Sequence, residues 1–158
     1  MIEIRELDSD GWKVWRELRL AALAEAPYAF GSRLADWEEA PEERWRARLE
    51  GARNAVAYSG GTPVGMASGV AGETDGVVEL ISMWVAPAGR GKGVGDLLMS
   101  WVEQGARAAG AHTLELSVAE GNEKAIGLYQ RHGYVVTGSL EEIDGDRVLR
   151  ETVMRKSL

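Results

Sequence analysis

The stretch Val85–Gln104, VAPAGRGKGVGDLLMSWVEQ, decides the fold. An apolar strand-like run stops at Pro87 and passes through Gly89, Gly91, Gly93 and Gly95, with Arg90 and Lys92 among them. It resumes with apolar residues at helical spacing: Val94, Leu97, Leu98, Trp101 and Val102 mark one expected face. A strand that turns through glycines into a helix places successive backbone amides at the helix start, where the dipole favours an anion. Glycines let that backbone turn tightly and approach a phosphate without a Cβ in the way.

The surrounding composition sets limits. The chain has 158 residues, nearly half of them apolar, and reads as one domain over 1–158 with a real core. It has no cysteine, which excludes disulfides, zinc-thiolate sites and a cysteine nucleophile. The two histidines, His112 and His132, are too scattered for a metal cluster, so no metal is expected. No apolar run has the roughly 18 residues that span a membrane. The start, MIEIRELDSD, is acidic where a secretory signal carries cations, so a cytoplasmic protein is expected. A net charge of −7 repels nucleic acid. An anion site must then be a local exception, and the glycine turn supplies one.

Along the chain, IEIREL alternates as a first strand from Ile2 to Leu7. Asp8, Ser9 or Asp10 caps a helix running to about Leu23, with Trp12, Trp15, Leu18 and Leu23 inward. Pro27 breaks the pattern and opens an aromatic-rich loop with a short helical segment. Pro41 reads as the first residue of a polar helix, PEERWRARLE. NAVAYSGGTPVGMASGV is a hairpin turning at Gly60-Gly61, and GVVELISMWVAP a buried strand. Gly110 ends the helix after the glycine turn. TLELSV alternates again, NEKAIGLYQRHG is a helix between Asn122 and Gly133, and a last hairpin turns at Asp144-Gly145. The order describes a mixed α/β domain with helices on both faces of its sheet.

Two familiar phosphate motifs do not fit. A Walker A loop needs Ser or Thr after its lysine, and Lys92 is followed by Gly93. The dinucleotide pattern fails because Asp96 stands where the third glycine belongs. RGKGVG does fit R-x-x-G-x-G after a strand ending V-x-P, and it resembles the acyl-CoA-binding motif of the GNAT superfamily of N-acyltransferases. NEKAIGLYQRHGY, Asn122–Tyr134, is similar to that superfamily's N-x-x-A-x-x-L-Y-x-x-x-G-[FY] segment. The element order matches along nearly the whole chain.

The resemblance implies a mostly antiparallel, V-split sheet and acetyl-CoA as co-substrate. It implies that the backbone of Met83, Trp84 and Val85 pairs with the pantetheine arm, as a ligand pairs with a strand edge. The pyrophosphate would sit over the amides of Arg90, Gly91, Lys92, Gly93, Val94 and Gly95, and Asn122 would contact the pantetheine besides capping its helix. Tyr129 matches the general acid for the leaving thiolate. Glu79, at the start of the strand leading to the turn, is the candidate base, with Glu115, Ser117 and Ser82 as alternatives; an amine that arrives unprotonated, or loses its proton through water, needs no dedicated base. Strict alternation puts residues 79, 81, 83 and 85 on one face, a count that a β-bulge changes. Tyr28, Phe30 and Trp37 are the candidates for the acceptor pocket.

The expected reaction is direct attack of a primary amine, from a small molecule or a protein, on the acetyl thioester. The partners implied are acetyl-CoA and that amine, with neither nucleic acid nor membrane; the resemblance leaves a homodimer open. The rival readings are an acyl-CoA-binding sensor without turnover and a nucleotide-binding domain. The tyrosine at 129 counts against the first, and the failed Walker pattern against the second.

Overall fold

A computed structural model describes residues 1–26, 33–144 and 147–158. Its centre is a seven-stranded sheet. The strands are β1 (Ile2–Leu7), β2 (Arg53–Ser59), β3 (Thr62–Ala71), β4 (Val77–Val85), β5 (Thr113–Ala119), β6 (Val135–Asp144) and β7 (Arg147–Ser157). Their spatial order is β1-β2-β3-β4-β5-β7-β6. Every neighbouring pair is antiparallel except β4 with β5. Parallel neighbours need a crossover, and the helix after the glycine turn, α4 (Val94–Ala108), provides it. The other helices are α1 (Trp12–Glu25), α2 (Leu34–Trp37), α3 (Glu42–Glu50) and α5 (Glu123–Arg131).

Each face of the sheet carries its own core. Leu98, Met99, Val102 and Ala106 of α4 pack with Leu114, Leu116 and Met154. On the other face, Trp15, Leu18 and Ala22 of α1 and Trp45 and Leu49 of α3 pack on Val56, Met66 and Trp84. The tryptophans carry much of this layer, since each buries on the order of 150–250 Å². β2 is covered on both sides, so Asn54–Ala57 are buried without alternation, whereas β5 alternates strictly with Leu114, Leu116 and Val118 inward.

Local signals behave as their chemistry dictates. The two-residue turn between Ser59 and Thr62 needs positive φ at both positions, and Gly60 and Gly61 adopt +56° and +84°. Asn122 caps α5 by accepting the Ala125 amide at 3.3 Å, and Gly133 follows the helix at φ +91°. Asp144 pairs with Arg147 across the last hairpin, whose expected Gly145 lies outside the described residues.

Three expectations need correction. Leu97 is 43% exposed: it falls outside the arc of Val94, Leu98, Val102 and Ala106, and Met99 takes the core position instead. Pro41 is the residue before α3, not its first turn; at ψ 162° it is extended, and its carbonyl accepts the amides of Arg44 and Trp45. The helix cap differs too: Asp8 caps a 3-10 turn at Ser9–Gly11 that precedes α1, while Trp12, half-buried, packs against the α1–α3 core as expected. Among the described residues no helix is long and apolar enough to cross a membrane.

Candidate active site

The parallel ladder between β4 and β5 has four pairs, from Val77 with Thr113 to Leu80 with Leu116. β5 then stays with β7, whose pairing continues through Ala119, while β4 stays with β3 up to Val85. The two strands therefore part, and main-chain groups beyond Leu80 on the β5 side of β4 have no neighbouring strand. A cavity of about 690 Å³ occupies the split. Its walls are Ile81–Val85 of β4, Leu116–Val118 of β5, the glycine turn with the start of α4, and one face of α5; Glu25 and Ala26 close one end.

The glycine turn has the shape of an anion cradle. Gly91 and Gly93 have φ of +78° and +76°, and a Cβ added at either would meet nothing within 4 Å. Backbone conformation, not crowding, selects glycine there. At Gly95 the reason is proximity: a Cβ would lie 3.4 Å from Leu128 and 3.6 Å from Met83. The first closed helical bond of α4 runs from the Leu97 amide to the Gly93 carbonyl, so the amides of Val94, Gly95 and Asp96 lie at its open end.

Arg90 is placed differently from the expectation. Its amide closes the 3-10 turn on the Pro87 carbonyl, so it is not available to a phosphate. Its side chain donates to the Val85 carbonyl at 3.1 Å and pairs with the Glu25 carboxylate. Arg90 thus ties the glycine turn to the end of α1, and it occupies one of the Val85 groups expected to meet the pantetheine arm. Lys92 does not line the cavity. Lys124 and Arg131 do; with Arg90 offset by Glu25, they outweigh the lining's remaining carboxylate, Asp96, by one charge in an acidic protein. The signal for them was the spacing Lys124, Leu128, Arg131, which is one stripe of a helix.

Met83, Trp84, Val85 and Asn122 all line the cavity. Asn122 uses its side-chain oxygen as a cap, and its amide nitrogen remains a donor. Tyr129 is buried in the cavity wall, and burial pushes its phenol up to about 12. It therefore keeps its proton at neutral pH. Tyr134 packs edge-on against it, with centroids 6.1 Å apart, but donates its own hydroxyl to Glu103 at 3.0 Å. The two tyrosines are thereby distinguished: one faces the cleft, the other is committed to the core.

β4 carries the expected bulge. Met66 of β3 pairs with Trp84 while Ser68 pairs with Ile81, so β4 holds one extra residue. Ser82 adopts φ +55°, the only positive φ among the described non-glycine residues. Val78 and Leu80 pack toward α4, and so do Met83 and Val85, so the bulge exchanges the faces midway. Glu79 consequently shares its face with Ile81 and Trp84, not with Met83 and Val85 as strict alternation had it.

Glu79 pairs in register with Glu115 and lies beside the cavity without lining it. Burial, then the charges of Glu115, Glu151 and Glu73, hold its carboxyl above the ordinary range. Glu115 is bound by Arg155 at 2.6 Å. Ser82 receives a hydrogen bond from Arg48 at 3.1 Å, which makes its oxygen a poor base; Ser117 lines the cavity. Trp37 packs on Trp45 with the rings tilted at 50° and centroids 4.8 Å apart, beneath Arg44, and does not line the cavity. Tyr28 and Phe30 lie outside the described residues.

Comparison with known proteins agrees with this geometry. The model of the acetyltransferase (GNAT) family matches residues 13–134. The chain belongs to that family. A Brucella melitensis structure, a ribosomal-protein-alanine N-acetyltransferase, is 26% identical, with a TM-score of 0.79 over 99% of each chain. A Salmonella typhimurium structure solved with its cofactor acetyl-CoA is 25% identical, with a TM-score of 0.79 over 99% of this chain and 93% of that one. A Streptococcus pneumoniae GNAT acetyltransferase shares the fold at 21% identity, with a TM-score of 0.79 over 100% and 99%. No curated protein sequence matches the chain.

Proposed function

We propose that this protein moves an acetyl group from acetyl-CoA to a primary amine within one domain, 1–158, in the cytoplasm. The observation that carries the reading is the split between β4 and β5: a cavity with an amide cradle at one end and a protonated tyrosine in its wall. Its support in relatives is the Salmonella typhimurium structure, which holds acetyl-CoA. Similar acetyltransferases are named for different acceptors, from ribosomal-protein alanine to phosphinothricin, so the family does not fix this one.

In this reading the pyrophosphate sits over the amides of Gly91, Lys92, Gly93, Val94 and Gly95, with Lys124 and Arg131 adding charge. The pantetheine arm pairs with the unpaired edge of β4 at Met83, Trp84 and Val85 and passes Asn122. The amine nitrogen attacks the thioester carbonyl carbon, and the resulting oxyanion is met by a main-chain amide of β4 near Trp84. The carbon–sulfur bond then breaks and sulfur takes a proton, while nitrogen loses one to Glu79 through water, since Glu79 does not line the cavity.

The phenol of Tyr129, at about 12, is a weaker acid than a thiol of roughly 8.5. Complete transfer to a resting thiolate runs uphill. Tyr129 therefore works by donating a hydrogen bond as charge builds on sulfur, and solvent completes the protonation. The test is coupled thiol release from acetyl-CoA over a panel of small and peptidyl primary amines. Turnover with at least one amine supports the reading; acetyl-CoA binding with no turnover on any of them supports the sensor instead.

A further inference from the structure

Arg48 is a half-buried cation in the last turn of α3, and no carboxylate pairs with it among the described residues. Its guanidinium donates to three neutral oxygens: Asn54 Oδ1 at 3.2 Å, Ser68 Oγ at 3.0 Å and Ser82 Oγ at 3.1 Å. These lie on β2, β3 and β4, three consecutive strands of the sheet. The network is tied back to α3, because Asn54 Nδ2 donates to the Leu49 carbonyl at 2.8 Å and Ser68 Oγ donates to Asn54 Oδ1 at 2.7 Å. Trp15 lies under the guanidinium, with its ring centroid 5.1 Å away. Arg48 is held from α1, α3 and two strands before it reaches β4.

What it reaches is Ser82, the residue with left-handed backbone at the bulge. An L-residue other than glycine enters that region at a cost, and serine has no special tolerance for it. A cation drawn out of water is costly unless hydrogen bonds replace its solvent, and Arg48 meets that need with neutral acceptors alone. Ser82 and Met83 lie where β4 leaves the β3 register and opens toward the cavity.

We propose that Arg48 is a positioning residue that pins Ser82 in its left-handed conformation, and so fixes the bulge that presents the free edge of β4 to the acyl-CoA arm. This rests on the cleft being the acetyl-CoA site. Without the bond, the Ser82 backbone relaxes toward ordinary strand geometry, and the main-chain groups of Met83 and Trp84 rotate out of register with the arm.

The test is calorimetric binding of acetyl-CoA and of adenosine 3′,5′-bisphosphate, which lacks the pantetheine arm. Arg48→Met removes the donor and keeps an apolar side chain of similar length. It weakens acetyl-CoA binding roughly tenfold, the scale set by the left-handed penalty of a non-glycine residue. Ser82→Gly loses the hydroxyl but also the penalty, and weakens binding about twofold. The double variant binds better than Arg48→Met alone, because glycine needs no pin. Ser82→Ala keeps the penalty without the bond and behaves like Arg48→Met, which tests the idea with Arg48 left in place. The bisphosphate binds every variant as it binds wild type.

Equal affinity of Ser82→Ala and Ser82→Gly overturns the proposal, as does a double variant no better than Arg48→Met. Loss of bisphosphate binding in Arg48→Met also overturns it, since that marks general disruption. Wild type that binds no acetyl-CoA defeats the proposed function, and this inference with it; wild type that binds, with variants that follow another order, defeats the inference alone.

Discussion

Leu80 of β4 and Leu116 of β5 are the last pair in the only parallel ladder of the sheet. Both are buried against α4, so the ladder is firmly closed up to that point and opens directly after it. The cleft is therefore a product of topology. A parallel pair requires the crossover helix α4, and the start of that helix brings the glycine turn to the mouth of the split.

Tyr129→Phe removes a hydroxyl that faces the cleft and leaves the ring packing against Tyr134 intact. An interaction that strengthens only as sulfur becomes negative acts on the transition state. The expected outcome is kcat lowered by roughly 10²-fold, the lower end for general acid catalysis, with acetyl-CoA affinity nearly unchanged. Steady-state kinetics beside calorimetry checks this. Unchanged kcat reduces Tyr129 to packing, and equal losses of rate and affinity make it a cofactor-positioning group.

Glu79 binds its proton more tightly in the folded protein than in the unfolded chain, through burial first and then Glu115, Glu151 and Glu73. Its charge opposes folding, so its contribution makes stability fall as pH rises from the ordinary 4.5 through the raised value. Glu79→Gln should raise Tm at neutral pH, and the gain should vanish well below 4.5. As the base, Glu79 works only when ionised. Wild-type kcat/KM should climb with pH through the raised value, and the variant should lose that limb. A variant with the wild-type pH–rate profile removes Glu79 from the base role.

Glu103 is buried and accepts from the Tyr134 hydroxyl at 3.0 Å and from the Lys156 ammonium at 3.0 and 3.2 Å. Glu103→Ala leaves both donors without their acceptor beneath α4. Urea denaturation should show a loss of about 3 kcal/mol, the low end for breaking a buried pair, because Lys156 keeps some access to water. A loss under roughly 1 kcal/mol would match an exposed pair and mean that water replaces the carboxylate.

Much of this site was legible because its signals are local. Gly91 and Gly93 announce positive φ, and Asn122, Tyr129 and Gly133 sit at fixed offsets within one helix and its caps. The remainder depends on contacts between distant segments. Arg90 read as a phosphate ligand, but its partner Glu25 stands 65 residues earlier, at the end of α1. The bulge was anticipated in β4 without its position, because nothing about a serine marks Ser82 for left-handed backbone. Arg48 looked like one more charge on a polar helix. Only the packing of α3 over β2–β4 reveals that it reaches across three strands to Ser82. Leu97 shows the complementary error: its helical spacing of three from Val94 put it on the buried stripe, but the buried arc extends from Val94 to the other side, through Leu98, Val102 and Ala106.

Calorimetric titration of wild type and Gly93→Val with acetyl-CoA tests most directly that the cleft is an acetyl-CoA site. Gly93 adopts φ +76° at the start of α4, where a β-branched residue is strained and its side chain projects into the open approach to the amides. The expected result is saturable one-to-one binding by wild type, a rise in its Tm with ligand as linkage requires, and at least tenfold weaker binding by a folded Gly93→Val. No heat and no thermal shift with wild type at millimolar acetyl-CoA, or undiminished affinity in the folded variant, would contradict it.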